Sequence, residues 1–481
     1  MSTRVAELRA ATLVDLGLAT LERVPHQLQP RIAPDSLEVG IVHLGLGAFH
    51  RAHQAIYTED AMAATGERSW AICGVSPRGS SSADALSGQD GLYTLLERES
   101  SVTARVVGSL RAVLSARSQK VEVIDSLTQP STRIVSFTVT EAAYLDPDGV
   151  IGLLCLGLAE RRRSGGGPVT AMCCDNIPRN GEFLRRCVLA ATVGDLALTR
   201  WIEANVAFPS CVVDRIVPAP MALDMADASG LIGVRDRCAV PCERYSQWVM
   251  EDDFVAGRPA WEHAGVIFTD RVEPYQLAKL RILNGAHSAL AYLGALAGHE
   301  LIADVLNDDL ASEFVLRLLS DEVVVTLTPP PGVDLNAYAA TVLERFRNRA
   351  LGHRCVQVAS DGSQKLPIRL LPTLRARLAS GLPAHLTILV IAAWMRYVSA
   401  RHSDDDLPLL VADPLNETIA RILHPADGPA AIVDGLLSVV EIFGADLAGD
   451  RGVRDELIEW LTLLSKDGAR CAMAVALKVG D

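Results

Sequence analysis

Three polar residues in a largely apolar stretch, Lys279, Asn284 and His287, are of the types that move a proton to or from a hydroxyl and stabilise the charge left on it. The stretch Pro274-Tyr275-Gln276-Leu277-Ala278-Lys279-Leu280-Arg281-Ile282-Leu283-Asn284-Gly285-Ala286-His287 predicts a helix, with Pro274 suited to its first turn. At about 100° per residue, Asn284 lies roughly 140° and His287 roughly 80° from Lys279, within one broad sector. Lys279 precedes His287 by about 12 Å of rise, so the lysine must reach along the face. Burying such a sector without a purpose is costly. A lysine whose pKa burial lowers from about 10.4 can take a hydroxyl proton. An asparagine amide can donate to the alkoxide as it develops, and His287 can hold the hydroxyl or tune the lysine. The competing reading is a half-exposed helix with a snorkelling lysine and a hydrogen-bonded core histidine.

Two other segments carry polar residues at the ends of apolar runs. Cys174-Asp175-Asn176-Ile177-Pro178-Arg179-Asn180-Gly181 follows a predicted strand, where a substrate-facing Asn176 would belong, although an Asx turn also explains it. Phe208 to Pro218 embeds Asp214-Arg215 in an apolar strand, a pattern that usually marks a structural ion pair. An alcohol that loses its proton in this way needs a hydride acceptor, and Ile41 to His53 offers a place for one. There an apolar strand runs into Gly45-Leu46-Gly47 and then into a helix through Gln54-Ala55-Ile56-Tyr57. Gly45 permits a tight turn, and Gly47 lets backbone approach a pyrophosphate. His50 occupies the third-glycine place of the usual dinucleotide fingerprint. The candidate cofactor contacts are Gly45, Gly47, Phe49, His50 and Arg51. The second strand, Trp70 to Val75, leads into Ser76-Pro77-Arg78 with no carboxylate to hold a ribose hydroxyl. Arg78 could receive a 2′-phosphate or be an ordinary loop residue, so NAD and NADP both stay open.

The elements that must position these groups alternate along the chain. Candidate strands are Gly40 to Gly45, Trp70 to Val75, Arg133 to Val139 and Val169 to Asp175, separated by helical patterns, which predicts a parallel α/β sheet. Arg161-Arg162-Arg163-Ser164-Gly165-Gly166-Gly167-Pro168 reads as a solvated connection. From Glu273 onward the pattern is mainly helical, with Pro329-Pro330-Pro331-Gly332 as a loop. The boundary falls near residues 273–285, giving a dinucleotide-type domain over 1–278 and a helical substrate domain over 279–481. At 481 residues two domains are expected. The net charge of −13 argues against a nucleic-acid surface or a polybasic membrane anchor. Ten scattered cysteines form no C-x-x-C pair, so no zinc ribbon or dithiol motif is suggested and buried thiols in a reducing compartment are expected. Charged residues Glu7, Asp15 and Glu22 break the N-terminal apolar pattern, so no secretory leader is read there. Leu386 to Met395 is too short to span a bilayer and reads as a buried helix. A cytoplasmic enzyme is expected, with its oligomeric state open.

The segments GLGAFHRAHQAIYTED, QDGLYTL, FTVTEAAY, CDNIPRNG, VVDRIVP, KLRILNGAH and DGSQKLP, in this order from about residue 38 to 376, resemble the long-chain mannitol dehydrogenase and fructuronate reductase family. The resemblance implies a Rossmann-type N-terminal domain, a largely helical C-terminal domain and no catalytic metal. It also implies Lys279 as the catalytic lysine, Asn176 and Asn284 as the oxyanion-stabilising asparagines and His287 as the substrate-orienting histidine. Lys365 falls on a substrate-side lysine and Asp214 on a signature aspartate near the site.

Two positions depart from the mannitol-oxidising pattern: Gln357 stands where an arginine is typical, and Gln276 where an acidic residue is frequent. The DGSQKLP form is similar to the branch acting on mannonate and fructuronate. That favours a sugar acid, whose carboxylate would need a cation such as Arg354, Lys365 or Arg369. The expectation is a nicotinamide-dependent, metal-independent oxidoreductase acting on a secondary hydroxyl of a sugar acid. The alternatives are a polyol dehydrogenase for mannitol or arabinitol, and a non-catalytic dinucleotide-binding sensor.

Overall fold

The run Val-Gly-Ile-Val-His-Leu forms β1 (Val39–Leu44), and almost all of it is buried, as a strand covered on both faces must be. The computed structural model describes residues 13–479 except 78, 80, 140, 145, 147, 148, 401 and 425. The remaining strands are β2 (Ala71–Ser76), β3 (Tyr93–Arg98), β4 (Val102–Val107), β5 (Leu110–Ser115), β6 (Ile134–Phe137), β7 (Val169–Cys173), β8 (Val206–Ala207), β9 (Cys211–Asp214), β10 (Val240–Cys242), β11 (Gln247–Met250) and β12 (Ile267–Phe268). Six of them form one parallel sheet in the order β5-β2-β1-β6-β7-β8. The winding starts at β1, runs outward on one side to β2 and β5, then restarts beside β1 at β6. That reversal opens a crevice at the carboxyl ends of β1 and β6, where such sheets bind ligands. Four of the six strands coincide with the sequence expectation. β5 escapes it because Leu-Arg-Ala-Val-Leu-Ser is a half-buried edge without a continuous apolar run, and β8 because it has two residues.

Two smaller sheets, β10-β3-β4 and β12-β11-β9, complete the first unit. The expected solvated connection after Arg161 holds for Arg162 and Arg163, which are exposed, but not for Arg161. Arg161, from the helix Val150–Ser164, is buried and donates to the carbonyls of Leu127, Gln129, Gly167 and Pro168 at 2.8–3.1 Å. One guanidinium thus meets four carbonyls, from the end of the helix Lys120–Thr128, the residue after it and the loop before β7.

The chain divides into two compact units at Glu273/Pro274. The second is helical, centred on Asn284–Leu296, all of whose residues are buried. Residues 386–395, expected as a buried helix, lie within His385–Ser399 and are buried throughout. That helix packs on the long C-terminal helix Arg451–Val479. Its N-terminus is capped by the buried Glu322, whose carboxylate accepts from the Leu386 and Thr387 amides at 2.9 and 2.8 Å and from the Thr387 hydroxyl. A negative charge there meets the positive end of the helix dipole. Among the described residues no helix is long and apolar enough to cross a membrane.

Arg161→Ala removes the donors of four carbonyls and is expected to cost about 2–4 kcal/mol. Urea denaturation checks this: the midpoint should fall with an unchanged slope, and an unchanged midpoint would contradict the assignment.

Candidate functional site: a glycine turn and a buried Lys-Asn-His helix

Gly45 ends β1 with φ at +113°, and a Cβ on it would lie 2.0 Å from the carbonyl oxygen of Thr138, just past β6. Only glycine fits this junction. The Gly45 and Leu46 amides donate to Val75 O at 2.9 and 3.2 Å, and Gly47 N–H donates to Gly45 O at 2.7 Å, closing the turn. Gly47 starts the short helix α1 (Ala48–Ala52), and a Cβ on it would find its nearest neighbour 3.8 Å away. The approach to the turn is therefore open, and the first amides of α1 lack intrahelical partners. Phe49 is half-buried and stacks on His53, whereas His50 and Arg51 lie beneath the turn. Arg51 donates to Gly47 O at 3.3 Å and to Cys238 O, and Tyr93 donates to Arg51 O at 2.6 Å. His50 and Arg51, which the sequence places among the candidate cofactor contacts, keep their side chains buried within the loop. Arg78 lies outside the described residues.

Asn176 is exposed on the loop after β7. Its neighbours, which sequence reasoning passed over, fix that loop. Both Asp175 carboxylate oxygens accept from Val139 N–H at 3.1 Å, and the Tyr144 hydroxyl donates to the same carboxylate. Asn180, opening the next helix, donates to Asp175 O and Cys211 O and accepts from Cys211 N–H, tying the loop to β9. A short polar side chain directly after a strand end was the available signal. Asp214 is buried at the end of β9, opposite Gln247. Arg215 pairs with Glu97 at 2.7 Å, so the expected Asp-Arg pair is not formed between neighbours.

In the second unit, helix α2 (Val272–Ala278) runs through a π-turn, Lys279–Leu283, into helix α3 (Asn284–Leu296). Asn284 N–H donates to Lys279 O, an i→i+5 bond. The regular-helix expectation of about 140° between Lys279 and Asn284 is corrected by this bond, which places Asn284 about one turn beyond Lys279 on the same side. Lys279, Asn284 and His287 are 7%, 8% and 8% exposed. Asn284 Oδ1 and His287 Nε2 are buried with no hydrogen-bond partner in the protein. Two orphaned acceptors or donors on one face of one helix fit groups that meet a ligand. Arg281, from the same turn, donates to the Thr373 hydroxyl at 3.0 Å and to the Thr326 hydroxyl, and burial lowers its pKa to about 10. Gln276 is buried on α2, three residues before Lys279.

His287 stacks on Phe346 with ring centroids 4.6 Å apart and leans on His353 at 4.7 Å. Burial, then the neighbouring His353 and the charges of Arg369, Lys365 and Arg345, hold it neutral, well below the usual imidazole range. Lys365 donates to Val358 O at 3.1 Å and Ser360 O at 2.5 Å. Arg369, one turn on, donates to the Ser288 hydroxyl at 3.1 Å. Arg354 does not join them: it is exposed and pairs with Glu300 at 3.3 Å. Gln357 is exposed too. Within DGSQKLP, Gly362 abuts the Trp394 indole, where a Cβ would come within 2.2 Å, and Ser363 caps against Asp413. Among the described residues no group of three or more His, Cys, Asp or Glu side chains is placed to hold a metal ion.

Burial, and then the charge of Lys365, lower the pKa of His353 to about 4. The unfolded chain would bind a proton there below about pH 6.5 and the folded chain would not, so stability is lost as pH falls from about 6.5 toward 4. His353→Gln removes this linkage. Between pH 7 and pH 5 the variant should lose about 1–2 kcal/mol less unfolding free energy than the wild type in urea titrations. Equal losses would show that His353 is not held neutral.

Family profiles described as the mannitol dehydrogenase Rossmann domain and the mannitol dehydrogenase C-terminal domain match residues 39–263 and 271–462. The D-mannonate oxidoreductase of Escherichia coli is 39% identical over 440 residues, covering 85% of this chain and 90% of that protein. The mannitol 2-dehydrogenase of Pyrenophora tritici-repentis is 36% identical over 491 residues, covering 96% and 85%. Among solved structures, the Pseudomonas fluorescens mannitol 2-dehydrogenase ternary complex with NAD and D-mannitol is similar with a TM-score of 0.90 and 34% identity, covering 97% of this chain and all of that one. Both halves of the chain are thus accounted for by one pair of domains, and the protein belongs to the mannitol dehydrogenase family of oxidoreductases.

Proposed function

We propose that this chain interconverts a ketone and a secondary hydroxyl of an open-chain sugar acid, D-fructuronate and D-mannonate, with NAD as cofactor and NADP as the alternative. The observation that carries the reading is the buried run Lys279–Asn284–His287, with two unpartnered polar atoms and a converging cationic field. The Gly45–Gly47 turn fits a dinucleotide pyrophosphate, because its backbone can be approached closely and lies at the sheet's reversal point. When bound, the nicotinamide supplies the hydride donor or acceptor. Lys279 takes the hydroxyl proton during oxidation and returns it during reduction. The amide group of Asn284 donates to the oxygen as charge builds on it, and the family resemblance gives Asn176 the same role. Neutral His287 offers Nε2 to an adjacent hydroxyl, which orients the substrate. Arg369 and Lys365 bring positive charge toward His287 and match a carboxylate better than a neutral polyol. The P. fluorescens complex with D-mannitol favours the second reading, a polyol dehydrogenase.

Absorbance at 340 nm decides between them, using fructuronate, tagaturonate and fructose with NADH or NADPH. Turnover of fructuronate and not fructose is expected; turnover of fructose alone would transfer the assignment to polyols. Lys279→Ala should lower kcat by about 10²- to 10⁴-fold while dinucleotide binding persists. Retained turnover across the pH range would remove the lysine from this role. Arg369→Gln should raise KM for fructuronate by about tenfold or more, as loss of a charge-assisted hydrogen bond does. Arg354→Gln, on the surface, should leave that KM unchanged. Equal effects of the two variants would contradict a carboxylate site at Arg369.

A further inference from the structure

Beneath the glycine turn lies a buried polar chain that the proposed chemistry does not use. His43, the fifth residue of β1, is fully buried. Its Nδ1 is 2.8 Å from the Ser136 hydroxyl on β6, and its Nε2 is 2.8 Å from the Thr138 hydroxyl and 3.1 Å from Gly45 O. Ser136 Oγ is 2.8 Å from the Gln54 side-chain amide, on the helix Gln54–Thr65, and the Thr138 hydroxyl donates to Gly45 O at 2.8 Å. His50 stacks flat on His43, ring centroids 3.5 Å apart.

Donor counting sets the direction of this chain. Gly45 O can only accept, and each hydroxyl has one proton to give. Thr138 gives its proton to Gly45 O, so it must accept from His43 Nε2–H. His43 Nδ1 then accepts from Ser136, which must in turn accept from Gln54. Gln54 Nε2 is buried with no partner in the orientation shown, and exchanging its amide oxygen and nitrogen supplies the missing donor. The result is one directed path, Gln54 to Ser136 to His43 to Thr138 to Gly45 O, with His43 neutral in a single tautomer. Burial, which lowers the His43 pKa to about 3, accords with that state.

We propose that this chain is a positioning device: it holds the Gly45 carbonyl inward, so that the turn keeps its φ of +113° and presents the following amides to a dinucleotide pyrophosphate. The inference rests on the dinucleotide reading above. Gly45 O receives three donors, the Thr138 hydroxyl, Gly47 N–H at 2.7 Å and His43 Nε2–H at 3.1 Å, so its direction fixes both ends of the turn. The same chain ties β1, β6 and the first long helix, the three elements that meet at the crevice.

The test is titration of NADH and NADPH against the full chain, followed by intrinsic fluorescence. Thr138→Val keeps the shape and removes the hydroxyl, and Ser136→Ala interrupts the path one step earlier. Each should raise the dinucleotide Kd by about 3- to 10-fold, the scale of one lost hydrogen bond. Thr138→Ser, which keeps the hydroxyl, should stay within about twofold of the wild type. The double variant should fall short of the product of the single effects, since both cut one path. In turnover the loss should sit in KM for the dinucleotide and leave kcat in place. Wild-type Kd values for Thr138→Val and Ser136→Ala would overturn the proposal. So would equal weakening by Thr138→Ser and Thr138→Val, which would assign the effect to packing. Failure of the wild-type chain to bind either dinucleotide would overturn the cofactor reading and the positioning role with it.

Discussion

The ends of β1 and β6 approach so closely at Gly45 that a side chain there would collide with the Thr138 carbonyl. This contact is the constraint on which the first unit depends. It occurs where a parallel sheet reverses its winding, so the strands on either side carry their connections to opposite faces. The backbone at that point has to turn at once, with φ positive, and the turn delivers the chain directly into α1. Val75 O, from the neighbouring β2, receives two amides of the turn, so three adjacent strands share in shaping one loop. Asp175 does the same service further along, bridging the end of β6 to the loop after β7.

The second unit meets a different constraint. A helix whose every residue from Asn284 to Leu296 is buried has little tolerance for polar groups, yet it carries Asn284 and His287 in its first turn and follows the π-turn that Lys279 opens. The i→i+5 turn is what aligns these residues, at the cost of poorer hydrogen-bond geometry over five residues. Nearby cations and burial act in the same sense on His287, both favouring the neutral ring. His287 Nε2 and Asn284 Oδ1, both without a hydrogen-bond partner in the protein, would meet substrate hydroxyls in the proposed reaction without adding charge. Opposite charge arrives with an anionic substrate in the proposed reaction, and Arg369 and Lys365 are the groups that would meet it.

Much of this was legible in the sequence. Continuous apolar runs ending in small residues mark β1, β2, β6 and β7, because a strand buried on both faces must be apolar along its length. The Gly45-x-Gly47 pair is readable because steric exclusion leaves no other residue possible at Gly45. What escaped did so for physical reasons. The π-turn has no local signature distinct from an α-helix, so the spacing of Lys279 and Asn284 was drawn at the wrong angle. Arg161 looked like part of a solvated cluster, since nothing local reveals that four carbonyls from elsewhere converge on it. Arg354 and Arg369 are equivalent in composition, and only the fold sends one to Glu300 at the surface and the other to Ser288 beside His287. The His43 chain links residues up to 95 positions apart, a distance over which sequence periodicity carries no information.

In the proposed reaction hydrogen passes directly between nicotinamide and the carbonyl carbon of a sugar acid, and the protein handles only the proton. Reduction of fructuronate with NADH deuterated at C4 of the nicotinamide, followed by mass spectrometry of the product, measures that transfer. Mannonate carrying one deuterium on the former carbonyl carbon is expected when the label occupies one face of the ring, and none when it occupies the other. Product without deuterium from either labelled form, or no product from fructuronate at all, would contradict the proposed reaction.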